Sequence, residues 1–136
     1  MSITLGRCLL AVYFLIPGLM KFAAFDMHVA LMQQHNVPAP VPLLVVAGVA
    51  NIAGALLLLF NRFVRAASFG LVAYILLVNF CLHDFWNFEG VQGQHEVQNF
   101  VKNLGILAGT LILAGASPKR PLDLTLLSKS DNAYAA

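Results

Sequence analysis

Four long apolar runs divide the chain: Ile3–Phe25, Val41–Phe60, Val64–Leu82 and Phe100–Ala116. Each is close to the roughly 20 residues a helix needs to cross the hydrocarbon core of a bilayer. Between them lie two polar stretches, Asp26–Pro40 and His83–Asn99, and a short Asn61-Arg62-Phe63 turn. Pro38, Pro40 and Pro42 break any helix in the first stretch and predict a clean start for the second span. Pro17 lies within the first run, where its missing N–H leaves the Tyr13 carbonyl free and predicts a kink. The pattern predicts an all-α integral membrane protein, a four-transmembrane-helix bundle over residues 1–116, with a tail over residues 117–136.

Composition supports the same solvent. Hydrophobic residues make up 60% of the 136 positions and charged residues 10%, against about 25% charged in a soluble domain. Eight Lys and Arg with six Asp and Glu cannot coat a soluble globule of this size. A soluble cytosolic domain, a nucleic-acid binder and a disordered chain are all excluded. The formal net charge of +2 is too small to suggest a polyanionic partner. Arg7 followed by the apolar stretch Cys8 to Met20 resembles a signal peptide, but Ala23 and Ala24 are preceded two positions back by Lys21 and Phe22, not by the small residues that cleavage requires. A retained first span is expected.

Sidedness follows from the basic residues. Arg62 and Arg65 flank the middle turn, and Lys119, Arg120 and Lys129 lie in the tail, whereas neither long polar stretch contains Lys or Arg. The positive-inside rule then predicts an N-in/C-in topology, with residues 117–136 as a cytoplasmic tail, lying in part on the membrane. The two polar stretches face outward and gather His28, His35, His83 and His95 with Asp26, Asp84, Glu89 and Glu96 on one side. Wet loops are polar in any case, and that alone accounts for much of this pattern.

Helical spacing assigns faces within the spans. Ala47, Gly48, Asn51, Gly54 and Ala55 form one small-residue face of the second span, and Gly105-x3-Gly109 does the same in the fourth; such faces let membrane helices approach closely. Asn51 is a buried polar candidate expected to serve as interhelical glue ahead of any ligand contact. Arg7, the other buried polar candidate, either snorkels to headgroups or faces the bundle interior. Cys8 and Cys81 are separated by depth, roughly 8 Å and 25 Å from the inner surface at 1.5 Å per residue, which excludes an intramolecular disulfide.

The outer side offers a candidate site. Asn79 and His83 lie one turn apart, followed by Asp84, Phe85, Trp86 and Phe88; His95, Asn99 and Lys102 share a face at the approach to the fourth span. With Lys21 at the end of the first span, the candidate cofactor-binding set is Lys21, Asn79, His83, His95 and Lys102, backed by aromatics. A quinone needs a proton donor at each carbonyl and a flat apolar wall, and histidine titrates in the range that suits proton exchange with quinol. The bland alternative is an aromatic belt with wet polar caps. Non-covalent haem, with His83 and His95 as axial ligands, is a weaker option. No metal-ligand spacing, catalytic nucleophile–base pair or nucleotide fingerprint is present.

The chain resembles the DoxX family of small four-helix membrane proteins, and in its fourth span the YqjF-like members. The resemblance rests on Gly6-Arg7-Cys8-Leu9-Leu10 through Phe14, Gly18, Lys21 and Phe22; on Val37-Pro38-Ala39-Pro40; on Asn61-Arg62; on His83-Asp84-Phe85-Trp86; and on Phe100-Val101-Lys102-Asn103-Leu104. It extends from about Gly6 to Ala116. It implies a multi-pass bacterial inner-membrane protein of four spans, linked in the family to quinol oxidase or thiosulfate:quinone oxidoreductase complexes and to resistance against quinones and thiol stress. Many members carry a glutamate in the second helix where this chain has Asn51, and a proton-carrying role cannot pass to an amide. Two readings follow: a quinone-linked redox subunit working with partner proteins, as homo- or hetero-oligomer, or a non-enzymatic assembly subunit or carrier of apolar molecules.

Overall fold

The computed structural model describes residues 1–134, and these are all-helical, with no strand among them. Five α-helices follow in order: α1 (Ser2–Ala23), α2 (Phe25–Gln34), α3 (Pro40–Leu59), α4 (Val64–Leu82) and α5 (Gly90–Ala116). Four of them are long and apolar enough to cross a membrane. Their outer faces carry exposed side chains such as Ile3, Leu9, Val46, Leu77 and Ile112, the surface that lipid covers in a bundle of this kind.

The expected spans are all present; the third coincides with α4, and the ends of the others shift. α1 continues past Pro17 as one helix and stops at Ala23. The fourth span starts ten residues before Phe100, so α5 has 27 residues, roughly 40 Å of helix, and its first turns project beyond the hydrocarbon. The largest departure is in Asp26–Pro40, expected as irregular chain. Nine of its residues and their neighbour Phe25 form α2, a short amphipathic helix with Met32 buried and Met27 and Leu31 exposed. Ala24, with φ −122° and ψ 51°, separates it from α1. The prolines act only after it, where Ala39 turns through the left-handed region and Pro40 opens α3.

The bundle core is built from Ala11 and Phe14 of α1, Ala55 and Leu58 of α3, Val64, Ala67, Leu71 and Ile75 of α4, and Leu113 of α5. The small face of α3 packs as expected. A Cβ on Gly48 would sit 2.5 Å from the Phe22 ring, and one on Gly54 would sit 2.9 Å from Leu71. On α5, nothing among the described residues lies within 4 Å of a Cβ placed on Gly105 or Gly109, so that small face is open within the chain. α1 packs mainly on α3 and α4 mainly on α5, while α1 and α5 barely meet. Their open seam is a groove.

The tail docks on the bundle. Two 3₁₀ turns, Leu124–Ser128 and Asp131–Tyr134, fold back beneath the α3–α4 turn; residues 135 and 136 of the expected tail lie outside the described residues. Phe63 adopts φ 47°, a conformation that costs about 1–3 kcal/mol for a bulky residue unless its surroundings enforce it. The enforcement is visible. The Asp131 carboxylate accepts from the backbone N–H of Phe63 at 2.9 Å and of Val64 at 2.8 Å, capping the N-terminus of α4 with negative charge. Arg120 pairs with Asp131 at 2.7 Å and stacks 3.8 Å from the centre of the Phe63 ring. Farther out, the Thr125 side chain and backbone N–H donate to exposed Asp123, which holds its carboxyl below the usual carboxylate range.

Candidate functional site

All four arginines lie toward one end of the bundle and all four histidines toward the other. Near the arginine end, Arg7 reaches across from α1 and donates to the carbonyls of Leu58 and, at 3.1 Å, Leu59. These are carbonyls of the last turn of α3, which lack intrahelical donors and carry the negative end of the helix dipole. The side chain is half-buried and its interior contact is therefore with a helix terminus.

Toward the histidine end, polar side chains pair across the α4–α5 seam. His83 Nδ1 lies 2.7 Å from Glu96 Oε2. One turn deeper, Asn103 Nδ2 donates to Asn79 Oδ1 at 2.8 Å, and Asn79 Nδ2 donates to the Phe100 carbonyl at 3.3 Å. Tyr13 of α1 completes the line by donating its hydroxyl to Asn103 Oδ1 at 2.9 Å. The i, i+4 spacing of Asn79 and His83 on α4, and the matching i, i+7 spacing of Glu96 and Asn103 on α5, stack these pairs into one ladder.

A second clasp holds α2. His35 Nδ1 and Asp84 Oδ1 are 2.6 Å apart, both residues are buried, and Asn87 donates to the other Asp84 oxygen at 2.6 Å. The His35 ring packs 4.9 Å from Phe88. The segment between α4 and α5 closes tightly at Gly93, where a Cβ would lie 2.5 Å from the Phe88 carbonyl oxygen.

The expected vestibule residues divide into three environments. Asn79 and His83 belong to the ladder. Lys21 is buried at 8% exposure, with Nζ 3.4 Å from the Pro17 carbonyl and 5.5 Å from the centre of the Tyr74 ring. His95 and Lys102 are exposed on α5, with Lys102 donating to Asn99 at 3.0 Å. The aromatic wall does assemble: Phe85 and Trp86 pack with Phe80 and Phe100 at centroid separations of 5.1–6.4 Å. Phe88 goes instead to His35. Asn51 is 1% exposed, yet its Oδ1 has no hydrogen-bond partner among the described residues; its Cβ forms the surface on which Gly18 packs. Both cysteines are free thiols.

Sequence reasoning singled out neither Tyr13 nor the groove beside it. The groove has a volume of about 580 Å³, within the usual ~300–1,000 Å³ of small-molecule sites. It opens between α1 and α5, and its lining residues are apolar apart from Ser2, Arg7 and Tyr13. A hydroxyl in the middle of an otherwise apolar span was the available signal, since such a group needs a partner. Among the described residues no three His, Cys, Asp or Glu side chains converge to hold a metal ion.

Four membrane-length helices, a polar seam and a lipid-facing groove define a small multi-pass helical membrane protein. The DoxX family model matches residues 2–84, so α1 through α4 are covered and α5 lies beyond the match. The chain belongs to the DoxX family. The inner membrane protein YphA of Escherichia coli (strain K12) is 27% identical over 114 residues, which cover 84% of this chain and 81% of that protein. No solved structure matches. The chain is a multi-pass protein of the bacterial inner membrane.

Proposed function

We propose that the α1–α5 groove holds a lipid-soluble quinol and that the chain acts as a quinone-linked subunit for partner oxidoreductases. The Tyr13 hydroxyl carries this reading. Its proton is committed to Asn103, Asn103 donates onward to Asn79, and Asn79 to a backbone carbonyl. The phenol oxygen keeps its acceptor capacity, on a residue whose side chain lines the apolar groove. It therefore favours a ligand that donates a hydroxyl, which is the reduced carrier, over one that offers only a carbonyl. The groove walls take the hydrocarbon part.

The positive-inside rule supports a cytoplasmic location for the arginine end. The ladder then rises from Tyr13 toward the periplasm and ends in His83 and Glu96, two groups able to exchange protons. The original vestibule set contributes unequally to this arrangement. Asn79 and His83 extend the polar line, Lys21 adds a buried cation on the opposite wall of the bundle interior, and His95 and Lys102 face outward toward a partner.

The test is purification in mild detergent, with visible spectra and quantification of co-extracted quinone per chain by mass spectrometry. Wild type is expected to be colourless and quinone-loaded. Gly109→Leu fills the groove where nothing stands within 4 Å of a new Cβ, so it should empty the site while leaving helicity intact. Tyr13→Phe should lower retention several-fold, in line with the roughly 0.5–1.5 kcal/mol of one net hydrogen bond. Equal quinone in wild type and Gly109→Leu overturns the assignment, and a Soret band replaces it with haem. The open face at Gly105 and Gly109 favours a second reading, an assembly subunit packed by small residues against a partner helix. In that case Gly105→Leu disrupts a co-purifying complex and leaves quinone content unchanged.

A further inference from the structure

The docked tail creates a second recess at the arginine end. It has a volume of about 260 Å³, and Phe63, Arg65, Phe69, Lys119, Arg120 and Leu122 are among its walls. Among the described residues no acidic side chain lines it. Arg120 is held in place by Asp131 and by the Phe63 ring, and Arg65 is steadied by the Ser117 carbonyl at 3.4 Å and by the Phe69 ring at 5.7 Å. Lys119 is exposed. Cations around an aromatic floor, at the depth where a span meets the headgroups, form a local positive site with no carboxylate on its wall.

The tail beside the recess is apolar on its outer surface. Leu122 is 78% exposed, Leu124 is 85% exposed and Leu127 is 45% exposed, with Lys119 and Lys129 at either side in sequence. Exposed leucines flanked by lysines, on a segment pinned beneath a transmembrane turn, match the pattern of a chain lying in the membrane interface. Aqueous exposure of three leucines so close together would be costly, at about 25 cal/mol per Å² of apolar surface.

We infer that this recess binds the phosphate of an anionic phospholipid of the adjoining leaflet, and that the same lipid surface receives the tail leucines. The occupant is set by charge complementarity and by place. A phosphate meets Arg65 and Lys119, its acyl chains continue into the bilayer beside Phe69, and Leu122 closes the recess from the tail. The site is independent of the groove between α1 and α5 and shares no residue with it.

The experiment reconstitutes the full chain into nanodiscs of phosphatidylcholine alone or with phosphatidylglycerol, and reads retained lipid by native mass spectrometry and hydrogen exchange over residues 119–129. Phosphatidylglycerol should be retained in preference to phosphatidylcholine, with slower exchange in the tail. Lys119→Gln should lower that preference about fivefold, the effect expected of one cation near an anionic surface. Arg65→Gln should do the same, and Leu124→Ser should restore fast exchange. Lys119 is exposed, so its variant keeps the fold. Equal retention of both lipids, or full preference in Lys119→Gln, overturns it. So does equal protection of the tail by inorganic phosphate in phosphatidylcholine discs, which would assign the recess to a free anion. Quinone content is a separate readout and should not change in Lys119→Gln.

Discussion

The two ends of the bundle differ in what their polar side chains mainly serve, although Arg120 and Asp131 also pair with each other at the arginine end. At the arginine end, charged groups terminate helices: Arg7 serves the last carbonyls of α3, and Asp131 serves the first N–H groups of α4. Toward the histidine end, side chains pair with one another, as His35 with Asp84, His83 with Glu96 and Asn79 with Asn103. Among the described residues, the buried His35 Nε2 there has no hydrogen-bond partner. Caps on backbone have fixed stereochemistry and mainly hold shape. Pairs of titratable side chains can change charge, and unsatisfied buried atoms are costly unless something uses them. The comparison teaches where stability and adaptability reside: the first at the arginine end, the second at the other.

This contrast can be broken in graded steps. Asp131→Ala should have the largest effect, since it removes the carboxylate paired with Arg120 and takes the acceptor from two amide groups at once. A loss of about 3–5 kcal/mol is expected from breaking such a pair, read as a lowered midpoint of thermal unfolding in detergent. Asp84→Asn should cost less, about 1–3 kcal/mol, and should loosen α2 without unfolding the spans, as hydrogen exchange over residues 25–34 would show. Glu96→Gln acts on a pair whose histidine is partly exposed, so its cost should stay near or below about 1 kcal/mol, while quinone retention at different pH values changes its profile. If Asp84→Asn proved more damaging than Asp131→Ala, the division between the two ends would fail.

The smallest effect is expected at Asp123. Its folded carboxyl titrates below its unfolded value because Thr125 donates to it. The stabilisation is therefore present above about pH 4 and is lost as pH falls through the lower folded value. Thr125→Val should raise the Asp123 pKa toward the ordinary carboxylate value, measurable by NMR of the labelled side chain, with little change in the midpoint of unfolding.

Most of the bundle was legible from hydropathy, because the bilayer imposes a length and an apolar face that composition cannot hide. α2 was not, because ten residues are too few to span and the prolines beside it read as breakers of the whole stretch. Asn79 and His83 could be placed on one face from their spacing alone. Their partners Glu96 and Asn103 were visible as polar residues near α5, but the pairing depends on the register between two helices, which no single helix encodes. The tail was the least legible. Its contacts join Asp131 to Phe63 and Val64 over nearly seventy positions, and two prolines among leucines and lysines carry no local sign of such a return. Tyr13 was overlooked because a tyrosine in a span resembles any other aromatic until its hydroxyl is seen facing Asn103.

The left-handed turn at Phe63 has a consequence for the order in which the molecule is made. The hairpin of α3 and α4 emerges early, but the residues that secure its bend, Arg120 and Asp131, are translated only after α5. A nascent chain halted at Ala116 would contain every membrane span and still have an unlatched elbow. The segment after α5 thus latches a bend made long before it, and a chain without Arg120 and Asp131 would have an open turn at Phe63.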